Sequence, residues 1–267
     1  MNNESLLSVK YRKNRIFLRK NIPDDYWVFL SIFYSNTYGK LRLRRDDVVL
    51  DAGANIGLFT IFCCDRVKRV IAIEPEPSNF KMLELNINEN NCKNVILVNK
   101  AISNRKGYVG FSHTGGTAMA NEAGSEIQAD TLDDILLNAK VKPTIIKMDI
   151  EGFEGKAFKS FMGFDSVREI IMEIHSNELQ REISSILSNN GFQCEILHNS
   201  LVRKTFTNAI KHPLTLLKVE KSERFRTLER YLKYLLHISE EAPVELKSRK
   251  KNSNELAILY AKKTMSV

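Results

Sequence analysis

Two short stretches pair proton-exchanging or metal-ligating side chains at a spacing of two. Lys147-Met148-Asp149-Ile150-Glu151-Gly152 sets Lys147, Asp149 and Glu151 in alternate positions, and Glu173-Ile174-His175 repeats the pattern. Both follow apolar runs, Thr144-Ile145-Ile146 and Ile170-Ile171-Met172, that read as buried parallel strands. On a strand, residues two apart share a face. Open α/β sheets bind ligands beyond the C-terminal ends of their strands. Adjacent strands would deliver Asp149, Glu151, Glu173 and His175 to one place, with Glu154 just beyond. Lys147 is costly to bury unpaired. One reading is an ion-pair cluster that fixes the strand ends. The chemical readings are binding of a substrate hydroxyl, proton handling and metal ligation. A carboxylate beside His175 would orient the imidazole and raise its basicity.

The element that must sit beside these pairs is Val48-Val49-Leu50-Asp51-Ala52-Gly53-Ala54-Asn55-Ile56-Gly57. It reads as a buried strand, a glycine turn and the start of a helix whose apolar face carries Ile56, Phe59 and Phe62. A helix N-terminus offers free N–H groups to a ligand. A dinucleotide site wants G-x-G-x-x-G, whereas this loop has Gly53-x-x-x-Gly57 behind an acid. It looks more like the S-adenosylmethionine (AdoMet) loop of class I methyltransferases. A second strand, Val70–Ile73, ends in Glu74-Pro75, about 20 residues on, where a carboxylate can accept both hydroxyls of a ribose. That acid alone does not separate AdoMet from a nicotinamide cofactor.

The 267 residues suit one large α/β domain or one domain with an appendage. No run approaches the length of a membrane span, and the polar start Met1–Ser5 lacks signal-peptide form. Cys63, Cys64, Cys92 and Cys194 form no C-x-x-C pair and no metal spacing. They read as reduced thiols of a cytoplasmic protein, Cys63 and Cys64 being small packing residues. The net charge of +8 is uneven: residues 201–252 hold 13 Lys/Arg against 6 Asp/Glu. Phe225, Leu228, Leu232, Leu235 and Leu236 recur there at helical spacing, so roughly 219–239 reads as a basic amphipathic helix. It could be a solvated helix packed by its leucine face, or a surface for an anionic membrane, a lipid-linked or phosphorylated substrate, or RNA.

The remaining elements follow in order. Residues 6–18 read as a hairpin with a basic turn, and Pro23-Asp24-Asp25 opens an aromatic helix. Ser78 or Asn79 is expected to cap the helix after Glu74, and Asp130 or Thr131 the helix before the fourth strand. Val95–Val98 is a third strand. Residues 107–129 break the βαβ rhythm as an excursion of two short strands around a polar loop at 113–117, where His113 reads as an ordinary loop histidine. Phe192–Leu197 is a sixth strand and 255–262 a last one. The expected organisation is an N-terminal hairpin and helix (1–45), a core (46–198), a basic helical insertion (199–253) and a last core strand with tail (254–267).

Asp51–Gly57, Glu74–Pro77, Ala101-Ile102-Ser103, Thr131-Leu132-Asp133, Lys147–Gly152 and Glu173-Ile174-His175, in this order, resemble the FkbM-type methyltransferases over about residues 5–198. The resemblance implies a Rossmann-like α/β sheet of seven strands in the order 3-2-1-4-5-7-6, strand 7 antiparallel. It implies AdoMet-dependent O-methylation of a hydroxyl on a sugar, glycolipid or natural-product-like acceptor. Asp51, Gly53, Asn55 and Gly57 would hold the methionine end of AdoMet and Glu74 the ribose, with Ala101 bordering the adenine. From geometry, His175 is the base, with Asp149, Glu151 and Glu173 as orienters. The same side chains could hold Mg²⁺, which hard oxygen ligands suit; the reading adopted assigns no metal ligand. Two alternatives stay open: an RNA or tRNA methyltransferase using the basic insertion, and an idle AdoMet-fold module docked on a membrane or partner. Against the RNA reading, the chain has no Asn/Asp-Pro-Pro-Tyr/Phe motif. The expected location is cytoplasmic, with peripheral membrane association through 201–252 left open.

Overall fold

A computed structural model describes residues 6–34, 36–114, 117–121, 125–197 and 257–264. The basic amphipathic helix expected near 219–239 lies outside them. The chain forms two compact units, parted between residues 36 and 37. The second unit begins at residue 37. Residues 37–45 belong to the core unit because Arg42 N–H donates to Glu169 Oε2 (3.0 Å) and Tyr38 donates to Glu173.

In the first unit, β1 (Leu6–Tyr11) and β2 (Asn14–Arg19) form the expected hairpin, in register from Val9 opposite Ile16 to Tyr11 opposite Asn14. Helix α1 (Pro23–Phe33) starts on a proline, whose fixed φ suits a first turn. Buried Asp25 pairs with Arg19 (2.6 Å), and the Tyr11 hydroxyl donates to the Phe33 carbonyl (3.0 Å). Tyr11, Phe29, Phe33 and Tyr34 pack edge to face or tilted in one aromatic cluster.

In the second unit, β3 (Val48–Ala52), α2 (Leu58–Cys64), β4 (Arg69–Ile73), α3 (Pro77–Glu89) and β5 (Val95–Val98) are βαβ units. A four-stranded excursion follows, from β6 (Ala101–Ile102), β7 (Gly107–Thr114), β8 (Thr117–Asn121) and β9 (Ser125–Asp130), in the order β6-β9-β7-β8. The chain then runs through α4 (Leu132–Ala139), β10 (Ile145–Met148), α5 (Glu154–Ser160), β11 (Glu169–Ile174), α6 (Asn177–Asn189), β12 (Phe192–Leu197) and β13 (Ala257–Lys263). The main sheet is ordered β12-β13-β11-β10-β3-β4-β5, and β13 alone runs antiparallel to its neighbours. This is a class I methyltransferase-like α/β fold. Leu50, Ile71, Ile146 and Ile170 are fully buried in its strands because helices cover both faces. Beneath α5 and α6 the core is aromatic, with Phe158, Phe161 and Phe164 in mutual contact.

Three local expectations change. His113 is in strand β7, opposite Ala118, rather than in a loop: the hairpin of β7 and β8 continues to Thr114 and Thr117. Glu76, not Ser78 or Asn79, caps α3, its carboxylate accepting from the N–H groups of both. Pro77 in the first turn moves the cap one residue earlier. Thr131 caps α4. The four cysteines are not all reduced: Cys64 and Cys92 form a disulfide, while Cys63 and Cys194 are free thiols. Helix α2 packs on α3, so the residue ending one meets the residue just past the other, 28 positions on, and no local spacing announces the pair.

At the N-terminal ends of the central strands, Arg168 binds buried Asp47 (2.8 Å) and buried Glu169. The Thr144 hydroxyl also donates to Asp47 (2.8 Å). Removing one partner of a buried pair strands the other charge. Arg168→Met is thus expected to lower stability by roughly 3–5 kcal/mol in a denaturant titration. A loss within experimental error would show the network to be solvated.

Candidate active site

The glycine turn is held from beneath. Lys147 stands beside Asp51 in the β10–β3 register. Its ammonium pairs with Asp51 Oδ1 (3.2 Å) and donates to the Gly53 carbonyl (2.6 Å). The other Asp51 oxygen accepts from the Thr60 hydroxyl (2.6 Å). Burial disfavours the lysine charge, but Asp51, Asp149 and Glu173 more than offset it, so the lysine pKa is raised and the ammonium persists. Asp51 is fully buried and engaged on both oxygens, so it fixes the loop from below.

The loop itself passes through three left-handed residues, Gly53 (φ 75°), Asn55 (φ 51°) and Gly57 (φ 86°). Asn55 tolerates this conformation because its own Oδ1 accepts from the Ile56 N–H (2.7 Å). A Cβ at Gly53 would lie 1.8 Å from the carbonyl oxygen of Asp149. The glycine turn and the Asp149 turn are therefore in direct backbone contact.

Glu74 is 5% exposed. Its oxygens accept the N–H groups of Asn55 (2.8 Å) and Glu76 (2.9 Å). Burial pushes its carboxyl up to about 7 against these hydrogen bonds. Ala101, on β6, pairs with Ala129 of β9 and packs in an apolar cluster with Val109 and Ile127, while Asn99, two residues earlier, donates to the Glu74 carbonyl (2.8 Å).

Around His175 the structure gathers Asp149 (Oδ1 3.5 Å from Nε2), Glu151 (3.9 Å) and Glu154 (4.0 Å). Asp149 follows β10, and its N–H donates to the Ala52 carbonyl (3.0 Å). Left-handed Glu151 (φ 54°) and Gly152 (φ 94°) then reverse the chain. Glu154, the first residue of α5, thereby comes back under Asp149, where it accepts from the Ile150 N–H (3.0 Å). Burial opposes the imidazolium, yet the hydrogen bond to Asp149 and the charges of Glu151, Asp149 and Glu154 prevail and push His175 up to about 9. Burial raises the Glu154 carboxyl as well.

Glu173 accepts from the Tyr38 hydroxyl (3.1 Å), and its charge also favours the Lys147 ammonium. His175 lies one residue past β11. Tyr38 is buried against Phe59 (4.9 Å), and burial with Glu173, Asp149 and Asp51 raises its hydroxyl well above the ordinary phenol. Tyr38, Thr60, Lys147 and Glu154 were not among the expected site residues. Lys147 announced itself as a charge inside an apolar strand. Nothing local marks Tyr38, whose partner is 135 positions away.

Residues 51–194 match the family model of the methyltransferase FkbM domain. The chain is 24% identical over 262 aligned residues to the AMB antimetabolite synthetase AmbE of Pseudomonas aeruginosa, covering 76% of this chain and 12% of that protein. Among solved structures it is similar to the methyltransferase FkbM of Methylobacillus flagellatus (22% identity, 64% of this chain and 46% of that one, TM-score 0.49). It is also similar to a precorrin-6y C5,15-methyltransferase of Geobacter metallireducens (16% identity, 61% and 73%, TM-score 0.43). The family match spans more than half of the chain and takes in the loop, Glu74 and both acid–base turns, and the chain belongs to the FkbM methyltransferase family.

Proposed function

We propose that this methyltransferase moves the methyl group of AdoMet to a hydroxyl oxygen of a small acceptor, a sugar, glycolipid or natural-product-like molecule. The observation that carries the proposal is the backbone contact of Gly53 with Asp149, which sets a donor-type loop directly against a cluster of acid–base groups. Glu74 fits the donor: a carboxylate has about four acceptor positions, of which backbone N–H groups of Asn55 and Glu76 fill two and the Asn79 side chain a third. What remains suits a ribose hydroxyl. When bound, AdoMet supplies an electrophilic methyl carbon. Gly53 and Gly57 keep the turn clear of side chains, and Asp51 acts through the loop that it braces with Lys147.

His175 takes the acceptor's proton as the hydroxyl oxygen attacks, and Asp149 holds the imidazole. The three surrounding carboxylates raise the proton affinity of the ring to about 9, so the neutral form that acts as base is the minor one at pH 7 and transfer should rise with pH toward about 9. Correct placement of the two reactants supplies the rest of the acceleration. The Tyr38–Glu173 pair forms the neighbouring wall.

The test is transfer of labelled methyl from AdoMet into extracts of the source cell, separated into lipid, glycan, protein and RNA. Label in the glycan, lipid or small-molecule fraction is expected, and label confined to RNA would sink the proposal. His175→Ala should lose about 10²–10⁴ of the rate; full retention would remove it as the base.

A further inference from the structure

Three side chains at the heart of this site make more than a proton relay. Asp149, Glu154 and His175 come from two different strand ends and the start of α5, and each offers one ligand atom within 4.8 Å of the other two. Among the described residues they are the one group of three or more potential ligands so gathered. The imidazole Nε2 is 3.5 Å from Asp149 Oδ1 and 4.0 Å from Glu154 Oε1. Ligands held at about 2.1 Å from one ion stand between about 3.0 Å (cis) and 4.2 Å (trans) from each other in octahedral geometry. Both distances fall inside that span.

A second observation points the same way. Glu154 is fully buried, and one of its oxygens accepts the Ile150 N–H. Its other oxygen, Oε2, is buried without a hydrogen-bond partner among the described residues. A carboxylate oxygen withdrawn from water and given no donor is costly unless a proton or a cation neutralises it.

We infer that Asp149, Glu154 and His175 form a binding site for a divalent transition cation of the Mn²⁺ type. Two carboxylates and one imidazole favour Mn²⁺ over Mg²⁺ or Ca²⁺, which prefer all-oxygen shells. Three protein ligands leave open positions on an octahedral ion, where an acceptor hydroxyl can bind. The inference deepens the proposed methyl transfer by adding a metal to the same site, and it differs from the metal-free reading of the sequence. The Glu151–Gly152 reversal explains why the ligand spacing is unusual: it brings residues 149 and 154 to one point across a turn.

The test uses the full chain, stripped with a chelator and titrated with Mn²⁺ alone. Loss of the free-ion signal in electron paramagnetic resonance reports binding. One ion per chain is expected, with Glu154→Gln and His175→Gln each weakening uptake by about tenfold or more. His175 is 24% exposed, so its variant remains informative if the buried Glu154 change fails to fold. No loss of free-ion signal in the wild-type protein, or unchanged uptake in folded variants, overturns the site. AdoMet binding, followed by calorimetry on the same stripped protein, separates the two ideas. Donor binding without Mn²⁺ uptake ends the metal site alone, and Mn²⁺ uptake without donor binding ends the AdoMet reading alone.

Discussion

Gly53→Ala is expected to abolish methyl transfer and to lower stability by more than about 4 kcal/mol, the range reserved for gross steric or strand-parting damage. The new Cβ would lie 1.8 Å from the Asp149 carbonyl oxygen and 2.8 Å from its carbon. Backbone, not a flexible side-chain tip, stands in its way, so β3 and the turn after β10 must separate. The hydrogen bond from Asp149 N–H to Ala52 would go with them. A left-handed φ of 75° adds its own penalty of about 1–2 kcal/mol for a residue with a Cβ. Gly191 provides the control, since it has φ 80° and nothing within 4 Å of an added Cβ. Gly191→Ala should therefore cost only that conformational penalty. Equal losses in the two variants, measured by denaturant unfolding, would refute the steric account of Gly53.

The second large effect concerns pH and Glu74. Its carboxyl, ordinarily near 4.5, is pushed up to about 7 by burial. The contribution of a raised acid is fully present below the unfolded value and is lost as pH rises through the folded one. The protein alone should thus lose on the order of 3 kcal/mol from this group between about pH 4.5 and 7. A ribose diol donates more strongly to the ionised form, so donor binding pulls the pKa down and releases a proton below about pH 7. AdoMet affinity should rise with pH up to about 7 and then level off. Glu74→Ala should weaken binding about a hundredfold, as hydrogen bonding to a charged group is lost, and should flatten the pH profile. Calorimetry in buffers of different ionisation enthalpy measures the proton release directly. A pH-independent affinity with no released proton would remove Glu74 as the ribose acceptor.

The sheet was legible because its strands are short apolar runs that end in polar residues, as Val48–Leu50 before Asp51 and Ile170–Met172 before Glu173. The glycine turn was legible because few residues other than glycine and asparagine enter its left-handed positions. The cluster was half legible. Alternation along β10 and β11 flagged Asp149 and His175 as neighbours, and they lie 3.5 Å apart, although His175 itself is one residue past the end of its strand. Glu154 was noticed and passed over because its approach depends on two consecutive left-handed residues, one of them Glu151, which no sequence rule assigns to that conformation. Tyr38 and the Cys64–Cys92 pair depend on tertiary neighbours far apart in the chain.

The placement of β13 has a consequence for how the molecule acquires its shape. β12 meets the sheet only through β13, yet the chain runs from Leu197 to Ala257 between them. During synthesis β11 has a bare edge and β12 has no strand beside it until the segment after residue 257 has emerged. Bare edges invite pairing with other chains, so this interval is the vulnerable one, and assembly of the wing must be a late, non-local event.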